Sequence, residues 1–93
     1  FKTPAGGIRA IGRILKTYRK RGIVTFEQVI KTWAPPNEND TDAYIKAVCK
    51  HCSTQPALDT LPYQAELVQS IIKHETGMNP YTTEFIKVCL ELE

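Results

Sequence analysis

Three stretches of this sequence carry side chains able to do chemistry. The first is His74-Glu75-Thr76-Gly77-Met78-Asn79-Pro80. A glutamate at a helix end, beside apolar neighbours, can hand a proton to a glycosidic oxygen when its surroundings keep it protonated. The same residues also read as a plain helix C-terminus with a Gly-Asn-Pro stop. The second stretch is WAPPNENDTDAY, residues 33–44. Pro35 and Pro36 stiffen it, so it loses little entropy when ordered. Trp33 and Tyr44 offer faces for the apolar side of a sugar ring, and the amides of Asn37 and Asn39 suit its hydroxyls. These four are candidate glycan-binding residues. A rigid connector with Asp40 as helix cap and Trp33 in the core explains the same string. The third stretch is Cys49-Lys50-His51-Cys52, half a zinc-site spacing with His74 and Cys89 elsewhere in the chain. Zinc needs four converging ligands, and no second CxxC exists. All three cysteines also fall at apolar helix positions, where a reduced thiol packs as a small hydrophobe. No metal or other cofactor is expected. Ser53 and Ser70 have no Gly-x-Ser-x-Gly elbow, and no Gly-rich loop follows a strand.

The elements that must position these groups are helices, because apolar residues recur at three and four rather than two. Thr3-Pro4 opens the first and Gly22 stops it, with Ile8, Ile11, Ile14, Leu15 and Tyr18 as its apolar stripe. Gly6, Gly7 and Gly12 weaken that helix by about 1 kcal/mol each against alanine, which predicts close approach by another backbone. Thr25 and Gln28 form a capping-box pair that opens a second helix, with Phe26, Val29, Ile30 and Trp33 inward. Pro35 and Pro36 end it. Asp40 or Thr41 caps a third, whose inward face is Ile45, Val48, Cys49 and Cys52. Residues 53–61 form a polar connection. Pro62 stands near the start of a fourth helix carrying Tyr63, Leu67, Val68, Ile71 and Ile72, closed by Gly77. Asn79-Pro80 turns the chain, and Thr82 caps a fifth with Phe85, Ile86, Cys89 and Leu90. The expectation is one all-α domain over residues 1–93, an orthogonal bundle of about five helices.

Charge is distributed unevenly. Residues 1–22 hold seven Lys or Arg and no acid, whereas residues 23–93 hold five bases against ten acids. A basic face of Arg9, Arg13, Lys16, Arg19, Lys20 and Arg21 suits an acidic partner protein, unless it simply faces water. Nucleic-acid binding would call for aromatic or amide residues among the bases. Only Tyr18 qualifies, and it falls on the apolar stripe. No apolar run approaches the roughly 20 residues needed to cross a bilayer.

The run FKTPAGGIRAIGRILKTYRKRGI, then WAPPNENDTDAYIKAV and IIKHETGMNPY, resembles a family of phage and prophage proteins described as virion or structural proteins. The resemblance covers essentially the whole chain, and WAPP-x-END-T-x-x-Y is its most specific element. It implies a location in a virion, or in the bacterial host of a prophage. Family members generally carry a further Asn-rich N-terminal stretch, so this chain is expected to be a fragment lacking that segment. A looser similarity joins NDTDAYIKAV to the Glu-Thr-x-x-Tyr-Val motif of lytic transglycosylases, which have a lysozyme-like helical fold. In those enzymes the motif's tyrosine lies beside the catalytic glutamate. Thr41 and Tyr44 match its threonine and tyrosine, while Asp40 stands where the motif has glutamate. The string around Glu75 is similar to their Glu-Ser-Gly-x-x-Asn-Pro element, with one residue fewer and in the opposite order along the chain. The opening pattern is also similar to the distal half of glucosaminidase domains, which lies downstream of the catalytic acid. The resemblance thus implies a peptidoglycan-processing module acting on glycan strands. Its acid comes either from a segment before Phe1 or from Glu75 with Tyr44. The alternative is a non-catalytic virion assembly module that docks through its basic helix on an acidic virion or effector-partner protein.

Overall fold

Side-chain caps set most of the helix starts. Thr25 accepts from the Gln28 N–H while Gln28 accepts from the Thr25 N–H, so the capping box forms in full. Asp40 accepts from the Ala43 N–H at 3.2 Å, and Thr82 accepts from the Phe85 N–H at 3.1 Å. Each side chain satisfies a donor that the first helical turn leaves without a partner. A computed structural model describes residues 4–37, 40–78 and 80–91. Thr3, Asn39 and Asn79, which the sequence singles out, lie outside them.

The described residues form α1 (Pro4–Lys20), α2 (Phe26–Trp33), α3 (Thr41–Cys52), α4 (Gln64–Thr76) and α5 (Thr83–Glu91). A short 3₁₀ turn, Leu61–Tyr63, precedes α4. No strand occurs among the described residues, and the expected all-α class holds. Helix α3 packs against α2 and α4, α4 against α5, and α5 against α1. The Cα radius of gyration is 12.3 Å, close to the roughly 12 Å of a well-packed domain of this length.

Phe26, Val29, Ile30, Val48, Leu67, Val68, Ile71, Ile86 and Ile8 form the centre of the core. Cys49, Cys52 and Cys89 are buried free thiols within it. Burial pushes the Cys52 thiol up to about 12, with the nearby Glu66 adding to the shift. These cysteines pack as hydrophobes.

Four sequence expectations need correction in detail. Ile14 is not on the buried stripe of α1 and stands exposed. Phe85 is likewise exposed, stacked on Tyr81 with ring centroids 5.5 Å apart. The close approach at Gly12 comes from a side chain and not a backbone: a Cβ there would lie 2.7 Å from Leu90 Cδ2 of α5. Tyr63, read as part of the fourth helix, instead ends the 3₁₀ turn, and α4 begins only at Gln64.

The segment before that turn is more than a polar connector. Leu58 O accepts from the Phe26 N–H at 3.1 Å, and Pro56 O from the Glu27 N–H at 3.0 Å. Thr60 binds the Val24 carbonyl through both its backbone N–H and its hydroxyl. The connection thereby supplies acceptors for the N–H groups at the start of α2. Asp59 is anchored by Arg19 of α1 and by the Leu61 N–H at 2.7 Å. Those donors, the Arg19 guanidinium first, hold its carboxyl below the usual carboxylate value.

Candidate functional site

Two contacts pin the ends of the WAPPNENDTDAY loop. The buried Thr41 hydroxyl donates to the Ala34 carbonyl at 2.6 Å, bringing the start of α3 against the end of α2. Trp33, the last residue of α2, donates its indole Nε1–H to the Tyr44 hydroxyl oxygen at 3.2 Å. The two rings therefore touch rather than stand apart across a gap. Tyr44 is 2 % exposed, while Trp33 is half-buried.

Antiparallel docking of α3 on α4 completes the site. The Tyr44 hydroxyl donates to Glu75 Oε1 at 3.0 Å, across 31 residues of sequence. Further along the same pair of helices, His51 Nε2 meets Gln69 Oε1 at 2.7 Å. The His74 ring stacks on Tyr44 with centroids 3.7 Å apart and planes 17° apart. Three elements thus contribute one connected group: Trp33 from α2, Tyr44 from α3, and His74 and Glu75 from α4.

The electrostatics of Tyr44 fix the direction of its hydrogen bonds. Burial raises its phenol well above the ordinary value, and the hydrogen bond to Glu75 raises it further. The Trp33 donor opposes the shift and does not overcome it. A phenol that stays neutral can accept from the indole and donate to a carboxylate simultaneously. Tyr44 accordingly orients one oxygen of Glu75, a residue that is itself exposed. An exposed carboxyl held from beneath by a buried hydroxyl can meet a substrate oxygen in a defined direction.

Helix α4 stops just beyond this carboxyl. Gly77 adopts φ +76° and its N–H returns to the Lys73 carbonyl at 2.8 Å. The Thr76 hydroxyl donates to Ile72 O at 2.8 Å and accepts from the Met78 N–H at 3.2 Å. Glu75 is therefore carried on a tied-off helix end.

The structure joins Trp33, Tyr44 and Glu75, three residues named from the sequence. Asn37 is exposed on the loop, and Asn39 lies outside the described residues. The α1 cations belong to another region, because α1 packs on α5 and α4 whereas the Tyr44 group is built by α2, α3 and α4. Arg13, Lys16, Lys20 and Arg21 are exposed, and Arg9 and Arg19 half-buried. Sequence reasoning missed the stacking role of His74. Its only local signal is adjacency to Glu75.

Among the described residues, no three His, Cys, Asp or Glu side chains converge in a way that could hold a metal ion. No described helix is long and apolar enough to cross a membrane.

No protein-family model matches the sequence. The chain is 43 % identical over 90 residues to Protein P5 of Pseudoalteromonas phage PM2. That match takes in 94 % of this chain and 56 % of the phage protein, so the chain spans just over half the length of this relative. Across nearly all of its own length, the chain is the homologue of a phage protein.

Proposed function

We propose that this chain is a virion-associated phage module that processes peptidoglycan, with Glu75 as its proton donor and Tyr44 as its positioning residue. The observation that carries the reading is the 3.0 Å hydrogen bond from the Tyr44 hydroxyl to Glu75 Oε1. The resemblance to lytic transglycosylases implies a tyrosine beside the catalytic glutamate. The contact of Tyr44 on α3 with Glu75 on α4 supports the reading, although the two residues occur in the opposite order along the chain. In this mechanism the Glu75 carboxyl protonates the bridging glycosidic oxygen as the bond to the anomeric carbon breaks. The resulting carboxylate then takes a proton from the nucleophile that attacks that carbon, either water or a hydroxyl of the same sugar. Trp33 and the exposed Asn37 amide hold the sugar beside the carboxyl.

Purified peptidoglycan sacculi incubated with the protein are expected to release soluble fragments, followed by turbidity and by mass spectrometry of the new ends. A reducing end identifies attack by water, and an internal anhydro ring identifies attack by the sugar's own hydroxyl. Sacculi left intact at micromolar protein would end the proposal.

A second reading rests on a separate observation. Arg13, Lys16 and Lys20 are exposed on α1 and Arg21 just beyond its end, with the exposed Ile14 next to Arg13. Such a face suits docking on an acidic partner protein in the virion. Binding to poly-glutamate is expected to weaken several-fold between 0.05 and about 0.5 M salt, because screening shortens the reach of surface charges. Lys16→Glu with Lys20→Glu should weaken it further. Indifference to both salt and charge reversal removes the docking role.

A further inference from the structure

A cavity of about 240 Å³ opens where α3 and α4 run side by side. Ala47 and His51 line it from α3, and Ser70, Lys73 and His74 from α4. Spacings of three and four residues stack these side chains on one face of each helix. None of the lining residues is an acid. Glu75, the carboxyl at this end of α4, turns to the Tyr44 hydroxyl instead. The volume lies below the roughly 300 to 1,000 Å³ typical of pockets that enclose a whole ligand. The cavity therefore suits one compact charged group.

Ser70 is the sign that a polar guest belongs there. A hydroxyl inside a helix can return to the carbonyl four residues back. Thr17, Thr32 and Thr76 each do so, to Arg13, Gln28 and Ile72. Ser70 is 5 % exposed and lines the cavity, yet its hydroxyl has no hydrogen-bond partner among the described residues. A nearly buried hydroxyl in that state has a donor and lone pairs to offer. Lys73 likewise makes no ion pair among the described residues, so its ammonium is uncommitted. The third group is oriented. Gln69 Nε2 donates to the Tyr81 carbonyl at 2.8 Å, which leaves Gln69 Oε1 facing His51 Nε2 at 2.7 Å. An amide oxygen can only accept, so Nε2 carries the proton and Nδ1 of the uncharged ring is an acceptor.

We propose that this cavity binds phosphate, free or as a monoester, through the Ser70 hydroxyl, the Lys73 ammonium and the His51 ring. At neutral pH a carboxylate or a sulfate accepts hydrogen bonds but has no proton to give. A phosphate that keeps one proton does both. Its charged oxygens accept from Lys73 and Ser70, and its hydroxyl donates to His51 Nδ1. These groups converge from two facing helices, which suits a tetrahedral guest better than a planar one. His74 lines the cavity with the same ring that stacks on Tyr44. The site is separate from the hydrogen bond between Tyr44 and Glu75, and it stands whether or not the protein cleaves glycans.

The test is a binding measurement independent of cleavage. Inorganic phosphate, glycerol 3-phosphate, dimethyl phosphate, sulfate and acetate are each titrated into the isotope-labelled protein and followed by NMR. Phosphate is expected to move the signals of Ser70, Lys73 and His51. It should bind about tenfold or more tightly than sulfate, dimethyl phosphate or acetate, which have no proton to donate. Glycerol 3-phosphate supports the site in either case: equal binding identifies the guest as a phosphorylated small molecule, and much weaker binding identifies it as free phosphate. Ser70→Ala and Lys73→Met should each weaken phosphate binding about tenfold, and Lys73→Arg should keep most of it. Ser70→Ala breaks no hydrogen bond among the described residues and Lys73 is exposed, so these variants should fold. Sulfate or dimethyl phosphate binding as tightly as phosphate would show attraction by charge alone and overturn the proposal. Unchanged affinity in both Ser70→Ala and Lys73→Met would do the same. So would shifts confined to Arg13, Lys16 and Lys20 on α1, or no shift at millimolar phosphate.

Discussion

Glu75→Gln is expected to reduce peptidoglycan cleavage by about 100- to 10,000-fold, the usual contribution of a general acid, while leaving the fold unchanged. Glutamine keeps the shape of the side chain and an oxygen able to accept from the Tyr44 hydroxyl. It carries no ionisable proton. Because Glu75 is exposed at the end of α4, the exchange disturbs no core contact. The thermal midpoint should therefore stay within a few degrees of the parent. Tyr44→Phe provides the companion measurement. It retains the ring that stacks on His74 and removes the oxygen that bridges Trp33 and Glu75. A positioning role predicts a fall in kcat of about tenfold with a smaller change in KM, since the misplaced carboxyl meets the transition state less well. The two substitutions should also be non-additive, because Tyr44 acts through Glu75. Full activity in Glu75→Gln would show that the proton comes from another group.

The largest effect on stability is expected from Phe26→Ala. Phe26 is 0 % exposed and meets the Tyr63 ring edge-on at 5.7 Å. Its backbone N–H is also where the segment before the 3₁₀ turn joins α2, through Leu58 O at 3.1 Å. Truncating a buried phenylalanine to alanine costs about 3–5 kcal/mol, from lost apolar transfer and the cavity left behind. A domain of this size has about 5–14 kcal/mol in total. The substitution therefore removes a large share of its stability. Urea unfolding followed by circular dichroism should show the midpoint falling steeply, with a thermal midpoint lower by more than about 12 °C. A loss below about 1 kcal/mol would mean that the core can collapse around the missing ring.

What was legible in the sequence was mostly local. The pairing of Thr25 with Gln28 depends on three residues of spacing and the chemistry of one helix start, and it formed as read. Gly77 closed α4 because a left-handed residue without a side chain is the simplest way to end a helix. Cys49 and Cys52 fell inside because they share the period of Ile45 and Val48 on α3, and Cys89 because it shares that of Ile86 on α5. The failures came where a neighbour decides the outcome. Ile14 has the spacing of a buried residue, yet the helices against α1 do not cover that side. Gly12 signalled a close approach, but only the packing of α5 on α1 could say that Leu90 makes it. Tyr44 and Glu75 were each named from their local surroundings and again through a resemblance. Nothing in the residues between them indicated that α3 and α4 would align the two. The chain from His51 through Gln69 to Tyr81 spans three elements of structure and has no linear signature at all.

The contact between Thr41 and Ala34 has an evolutionary consequence. It ties the end of α2 to the start of α3 directly, independently of the residues between them. A bend anchored in this way can be lengthened, shortened or rewritten without repositioning the rods on either side. Sequence change in this bend is therefore free to accumulate while the pairing of α2 with α3 is kept.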